Sequence, residues 1–248
     1  MRAAVILLVV VFLATVLVRL PARVLLSVLP ADVSCESPAG TIWSGSCGEL
    51  RAGAVGVTGV SWRLHPAALL RLRLAAELVS EDPGARGHAQ VELAPNGDLA
   101  ISALAAQVAL PGRIGLVGAG TSGSLQLAID SAHVAAGHLS ALHGMTELHQ
   151  LHIANPPTDL GSYELRFAPP EGAAPAAGGS EPMVGQLRDL DGPLAVSGEL
   201  RLLPTGSYEL NGTLAPRPGA SADLSQLLQM LGAPDDQGRR TFSLAGTL

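Results

Sequence analysis

The chain has 248 residues, of which 48% are apolar, 15% are charged and only 3% are aromatic, so a core can form but only from small aliphatic side chains. This composition excludes a chain that is disordered throughout. Fifteen basic residues, all of them arginine, face 21 acidic ones, which argues against nucleic acid as a partner because phosphate binding requires clustered positive charge.

The first thirty residues predict a membrane anchor. Residues 3–18 carry no charge, and Arg19 and Arg23 follow them with side chains long enough to reach lipid headgroups. A cleaved signal peptide also has a charged start and a short apolar region. However, Leu20 and Pro21 stand where a signal peptidase requires small residues. We therefore favour an uncleaved transmembrane helix in residues 1–30, with a short cytoplasmic start.

The only two cysteines, Cys35 and Cys47, follow the anchor. A disulfide closing so short a loop stabilises a fold by about 3 kcal/mol in the chain-entropy model and forms in an oxidising compartment. It would place the body of the chain outside the cytoplasm. Two buried thiols are the alternative, because the sequence does not give the distance between the two residues. Both interpretations stay open at this stage.

Residues 31–248 predict one large β-rich domain. Apolar and polar residues alternate in five runs, at 69–74, 90–93, 124–130, 163–167 and 199–202. Turn sequences separate the runs, and Asn96-Gly97 is the clearest hairpin signal, predicted as a two-residue type I′ turn. Parallel strands would need long helical crossovers, and the sequence shows none, so the strands are predicted to be antiparallel. The predicted fold is mainly β: a single N-terminal transmembrane helix, then one large curved, twisted antiparallel sheet with one or two short helices.

Two helices and one loop are predicted within this domain. Residues 223–231, capped by Ser221 or Asp223 and stopped by Gly232, place leucines on one face of a short amphipathic helix. A second helix is predicted over residues 134–142. Residues 168–182 read APPEGAAPAAGGSEP and predict a flexible loop, because they offer no aromatic or β-branched side chain to bury.

The sequence offers no argument for catalysis, a cofactor or a bound metal. Residues 118–123 match G-x-G-x-x-G, but a strand-like alternation follows where a dinucleotide site requires a helix. Five histidines between positions 133 and 152 lack the spacing of a zinc motif and are predicted to lie at the surface. Ser122 lacks the final glycine of a nucleophile elbow. We expect no enzyme activity and no small-molecule substrate.

Short motifs at both ends of the chain carry a family resemblance. They are Leu20 and Pro21; Gly40, Thr41, Trp43 and Gly45; Trp62 and Pro66; and, near the end, Gly206, Tyr208, Leu231, Gly232, Asp235, Gly238 and Arg239. In this order they resemble the protein N family of the bacterial type II secretion system. From the residues themselves, the two tryptophans are predicted to pack on the same sheet face near the anchor.

The resemblance implies an inner-membrane protein with one anchor and a periplasmic β-rich body. It implies a non-catalytic, accessory role in the apparatus that exports folded proteins across the outer membrane. The implied partners are other type II secretion proteins, namely the inner-membrane platform and either secretin or pseudopilus components. This sequence departs from the family pattern at Cys35, at Cys47 and in residues 168–182.

A second hypothesis is a membrane-tethered lipid carrier that resembles the AsmA group. A mean hydropathy of +0.35 and many aliphatic residues suit a lipid groove as well as a dry core. For the secretion hypothesis, an unpaired sheet edge is expected to receive a partner strand by β-augmentation.

Overall fold

The computed structural model describes residues 8, 12, 15–16, 18–26, 33–52, 55–110, 120–135, 137–155, 157–168, 182–229 and 232–247. Most of the predicted anchor, residues 169–181 of the predicted loop and Leu231 lie outside these ranges. The described residues before Arg19 are helical. Within the ranges given, no helix is both long enough and apolar enough to span a membrane.

Among the described residues, fourteen strands form one antiparallel sheet, which confirms the predicted mainly β class. They are β1 (Val33–Glu36), β2 (Ala39–Gly40), β3 (Ser44–Ala52), β4 (Val55–Leu64), β5 (Leu74–Asp82), β6 (Ala85–Leu93), β7 (Leu99–Leu110), β8 (Thr121–Ala135), β9 (His138–Ala154), β10 (Pro157–Phe167), β11 (Met183–Asp191), β12 (Leu194–Leu202), β13 (Ser207–Pro216) and β14 (Arg240–Thr247). From β3 onward each strand pairs with the next one in sequence, and both β1 and β2 pair with the outer side of β3. In the described part of the chain, β1 together with β2 therefore forms one edge of the sheet and β14 forms the other.

The strand register separates an apolar face from a polar face. On the polar face, Gln107, Gln126, Glu147, Glu164 and Arg188 follow one another across five strands. The neighbouring positions carry the apolar face, in the row Val108, Leu125, Leu148 and Tyr163 and in the row Leu200, Leu210 and Leu244. This alternation is what the period-two runs of the sequence encode.

Three short helices whose bounds fall within the described residues accompany the sheet: α1 (Ala22–Leu26), a 3₁₀ helix (Pro66–Arg71) and α2 (Ala222–Gln229). The prediction of a helix near residues 223–231 is confirmed, since α2 covers most of that range. The hydroxyl of Ser221 accepts a hydrogen bond from the backbone N–H of Leu224 at 3.2 Å, as an N-cap residue does. Leu224 and Leu228 are buried against β12, where they cover one end of the apolar face.

The helix predicted over residues 134–142 is wrong. These residues end β8 and begin β9, and the two strands meet in a hairpin at Gly137, whose φ is +80°. Leu139 pairs with Val134 and Leu142 pairs with Ala132, with a register shift between the two pairs. The shift brings Leu139 and Leu142 to the same face, which imitates helical spacing in the sequence.

The strand predicted at residues 69–74 is also wrong, because β5 begins only at Leu74. The preceding residues form the 3₁₀ helix, which begins at Pro66, a residue suited to the first turn of a helix. Leucine and arginine alternate here in a loop that has no neighbouring strand to pair with among the described residues.

The hairpin at Asn96-Gly97 is present, but the predicted turn type is wrong. The N–H of Gly97 donates to the carbonyl of Ala94 at 3.0 Å, and the N–H of Ala94 donates to Asp98 at 2.9 Å. Only Gly97 has a positive φ, of +87°. The loop is therefore a type I turn with a glycine bulge, favoured by Pro95 at its second position.

Candidate functional site at the first edge of the sheet

The chain leaves its N-terminal segment at a fixed point on the first edge of the sheet. The N–H of Ile42 donates to the carbonyl of Leu20 at 3.0 Å, and Pro21 forms an isolated antiparallel bridge with Thr41. Ala22, the first residue of α1, is only 2% exposed. The end of the predicted anchor is thus held by backbone hydrogen bonds and by burial.

Trp62 on β4 is the centre of the core at this edge. Its side chain packs with Ala22, Cys47 and Val60, and its indole N–H donates to the carbonyl of Ile42 at 3.2 Å. The cross-strand partner of Trp62 is Gly45, where a Cβ atom would lie 2.4 Å from the indole ring. Only glycine fits at that position, so the ring lies directly over the backbone of β3.

Trp43 lies in the loop between β2 and β3, and it is half-buried. The loop closes through the N–H of Thr41, which donates to the carbonyl of Ser44 at 2.9 Å, and Gly40 enters it with a φ of +89°. The carbonyl of Trp43 accepts a hydrogen bond from Leu64 at 2.7 Å. The two tryptophans therefore differ in setting, one in a strand and one in a loop. We name residues 20–22, residues 40–45 and Trp62 the anchor corner.

Cys35 on β1 and Cys47 on β3 are joined by a disulfide with a Cα–Cα distance of 5.8 Å. This distance lies within the range that disulfides span without backbone distortion. Cys47 is also part of the core around Trp62. The bond ties the short edge strand β1 to the anchor corner.

The remaining family-motif residues do not join this corner. Gly206, with a φ of +83°, closes the turn between β12 and β13, and Tyr208 covers Gly246 on β14. Asp235 and Arg239 lie at the other end of β13, about 30 Å away for a ten-residue strand. Gly232 and Gly238, which have positive φ values, lie in that same connection, before β14. The structure therefore separates the C-terminal motif into two turns.

The turn at residues 235–239 is closed by one carboxylate. Oδ1 of Asp235 accepts the backbone N–H groups of Gln237 at 2.9 Å and Arg239 at 2.8 Å, and Oδ2 accepts Nε of Arg239 at 3.0 Å. These bonds, the backbone bond from Arg239 foremost, lower the pKa of Asp235. The motif fixes the entry of the chain into β14.

Sequence reasoning did not identify the carboxylate of Glu164 on the polar face. Its side chain is 4% exposed and lies between Nη2 of Arg188 at 2.9 Å and Nε of Arg166 at 3.2 Å. The hydrogen bond from Arg188 lowers the pKa of Glu164, with the charge of Arg166 acting in the same direction. The alternating pattern at 163–167 indicated that Glu164 lies on the polar face. Its pairing with Arg188 follows only from the register of the neighbouring strand.

Neither a metal centre nor a dinucleotide site is found among the residues that the structure describes. They contain no group of three or more histidine, cysteine or acidic side chains placed to hold a metal. His149 instead pairs with Glu147 at 2.9 Å. The glycine-rich segment leads from Gly120 directly into β8, so no helix begins where a pyrophosphate would bind.

Comparison with known proteins identifies the family. A family model described as "Type II secretion system (T2SS), protein N" matches residues 31–243. The chain belongs to the type II secretion system protein N family. The predicted resemblance is thereby confirmed.

Two relatives of this protein N family align along nearly their whole length. Type II secretion system protein N of Aeromonas hydrophila is 29% identical over 246 residues, which cover 96% of this chain and 94% of the relative. Its counterpart in Vibrio cholerae is 26% identical over 253 residues, covering 96% and 95%. No solved structure gives a significant match.

Proposed function

We propose that this chain is an accessory, non-catalytic inner-membrane component of the type II secretion apparatus. It supports export of folded proteins from the periplasm across the outer membrane through contacts with other secretion proteins. The observation that carries the proposal is the family match over residues 31–243. That match does not favour the alternative of a lipid carrier.

In this proposal, residues 1–30 anchor the chain in the inner membrane and residues 31–248 lie in the periplasm. The uncharged run at residues 3–18 supports the anchor. The disulfide between Cys35 and Cys47 supports the location, because the periplasm is oxidising and the cytoplasm is not. The anchor corner then lies at the membrane surface and fixes the sheet relative to it.

We assign the contacts with partners to the edge of β14 that no described strand covers. The N–H of Leu203 donates to Ser207 and the N–H of Arg217 donates to Pro193, so the odd-numbered residues of β13 bond to β12. Even-numbered residues of β13 then bond to β14, which leaves alternate β14 backbone groups directed outward. The outward residues are Thr241, Ser243, Ala245 and Thr247.

The two edges differ in their capacity to accept a strand. The outward positions of β14 are exposed and uncharged, and the β13–β14 register has no bulge. The opposite edge strand, β1, has four residues, ends before Pro38 and is tied down by its disulfide. Short strands and proline are common protections against edge pairing, and β14 has neither. A partner strand is therefore expected at β14.

Export of a folded reporter tests the function. Cells that lack the chain should accumulate the reporter in the periplasm, and the intact chain should restore export. A version with residues 1–30 replaced by a cleavable signal should restore it poorly if the anchor is required. Normal export of the reporter in cells that lack the chain would contradict the proposal.

A proline at position 243 tests the edge. Ser243→Pro removes one outward N–H and no bond to β13, so the sheet should keep its fold while partner docking is lost. Ser243→Ala is the matched control, because it keeps the N–H. Equal export by both variants, with circular dichroism like the wild type, would show that β14 does not receive a strand.

A further inference from the structure

The loop of residues 65–73, between β4 and β5, exposes three leucine side chains. Leu70 is 89% exposed and Leu72 is 77% exposed, the two highest values among large apolar side chains of the described residues. Leu69 adds a further exposed side chain at 37%. Exposed apolar groups clustered in this way mark interaction surfaces.

The loop lies next to the point where the chain leaves its anchor. The N–H of Leu64, the residue before the loop, donates to Trp43 at 2.7 Å, and the N–H of the adjacent Ile42 donates to Leu20 at 3.0 Å. Two strand spacings, about 10 Å, therefore separate Leu20 from the start of the loop. A membrane that holds the anchor is within reach of the leucines.

The backbone holds the leucines outward at a conformational cost. Leu72 has a φ of +56° and a ψ of +33°, a left-handed conformation that leucine rarely adopts, and its N–H donates to Leu69 at 2.9 Å. This bond closes the 3₁₀ helix, so Leu70 and Leu72 are presented on a fixed turn. Strain of this kind persists where the surrounding structure imposes it, and it concentrates at binding sites.

The charges of the loop suit a lipid surface better than an apolar protein groove. Arg71 stands exposed between the two leucines, and Arg73 forms an ion pair with Glu92. Leucines flanked by arginine are typical of segments that insert apolar side chains at the headgroup boundary while the guanidinium binds lipid phosphates.

We propose that Leu70 and Leu72 insert into the outer leaflet of the membrane that holds the anchor. This inference rests on the proposed anchor. The loop is then a second membrane contact, and together with the anchor it sets the orientation of the sheet at the membrane. The partner is the lipid surface itself, with anionic headgroups at Arg71.

Fluorescence of labelled cysteines in the full-length chain tests this contact. The chain is reconstituted in vesicles of phosphatidylethanolamine and phosphatidylglycerol, and an environment-sensitive dye is placed at L70C or L72C. Cys35 and Cys47 do not react because they are joined. L190C is the matched control. Leu190 is also exposed, at 40%, and it lies in β11 near the end of the sheet opposite to the one that carries the loop of residues 65–73. F12C reports the anchor.

We expect brominated lipid to quench the dye at 70 and 72 but not at 190. Quenching at 12 without quenching at 70 and 72 would overturn the loop contact and leave the anchor standing. No quenching at 12 would overturn the anchor. A blue-shifted dye at 70 that brominated lipid does not quench would show that protein covers the leucines, which also overturns the proposal.

A second experiment tests the leucine side chains themselves, with the dye at a different position of the loop. With the dye at A67C, the double change Leu70→Ser and Leu72→Ser should lower lipid insertion of the loop by at least about a hundredfold, given the transfer free energy of two leucine side chains. Quenching at F12C should not change. Unchanged quenching at A67C would show that the leucines do not drive the contact.

Discussion

Trp62→Ala should remove the centre of the core at the anchor corner. The Trp62 side chain is 9% exposed, packs with Ala22, Cys47 and Val60, and donates its indole N–H to Ile42 at 3.2 Å. Truncating a buried tryptophan costs about 3–5 kcal/mol, and the lost hydrogen bond adds about 1 kcal/mol. We therefore expect a loss of about 4–6 kcal/mol in the free energy of unfolding.

This loss corresponds to a large shift in thermal unfolding. For a chain of this size each kcal/mol lowers Tm by about 2–4 °C, so Trp62→Ala should lower Tm by about 8–24 °C. The measurement is far-ultraviolet circular dichroism of the full-length chain in detergent. Trp62→Phe keeps a ring in the core but loses the hydrogen bond to Ile42, and it should cost about 1–3 kcal/mol.

Trp43→Ala is the matched control, because it changes the only other tryptophan, which is half-buried in a loop. It should cost much less than Trp62→Ala. If the two variants melt together, or if Trp62→Ala melts within about 2 °C of the wild type, Trp62 does not hold the corner.

Three further predictions concern the disulfide and two ionisable groups. Changing Cys35 and Cys47 to serine, or reducing the wild type, should cost about 3 kcal/mol in urea unfolding, and no change on reduction would contradict the bond. Because Arg188 lowers the pKa of Glu164, stability should fall as the pH drops below 4.5, and Glu164→Gln should lose part of this dependence in urea titrations. Burial, with nearby carboxylates, raises the pKa of Tyr163 from 10.0 to about 12, so stability should be lost as the pH rises through that interval. Tyr163→Phe should remove the high-pH step in ultraviolet absorbance, and a step that persists would show that another group titrates.

The sheet was predictable where alternation coincides with regular pairing. The runs at 163–167 and 199–202 lie within β10 and β12, where these residues pair regularly with the strands on both sides. The run at 69–74 shows the limit of the pattern, since alternating leucine and arginine also suit a loop with exposed leucines. Alternation of apolar and polar residues shows only that the two sides of a segment differ in polarity. The segment becomes a strand of a sheet only where a neighbouring strand pairs with it.

The anchor corner was predictable in its residues but not in its contacts. Trp62 and Gly45 were both recognised in the sequence, yet the fit of the ring over the glycine depends on the register that pairs them. The same holds for Glu164, whose two arginine partners come from its own strand and from the next one. The register of two strands depends on many small pairing preferences along their length, so it cannot be predicted from any single residue.

From β3 to β14, every strand pairs with its neighbour in the sequence, which keeps the contact order low and matters for how the molecule is made. Each new strand pairs with the strand before it, although the connections before β5, β8, β11 and β14 are longer than a hairpin turn. The sheet can therefore grow from its N-terminal end while later residues are still being synthesised. At every stage the newest strand is the growing edge, ready to template the next. When β14 is in place, the described chain supplies no further strand, and the same templating capacity remains for another molecule.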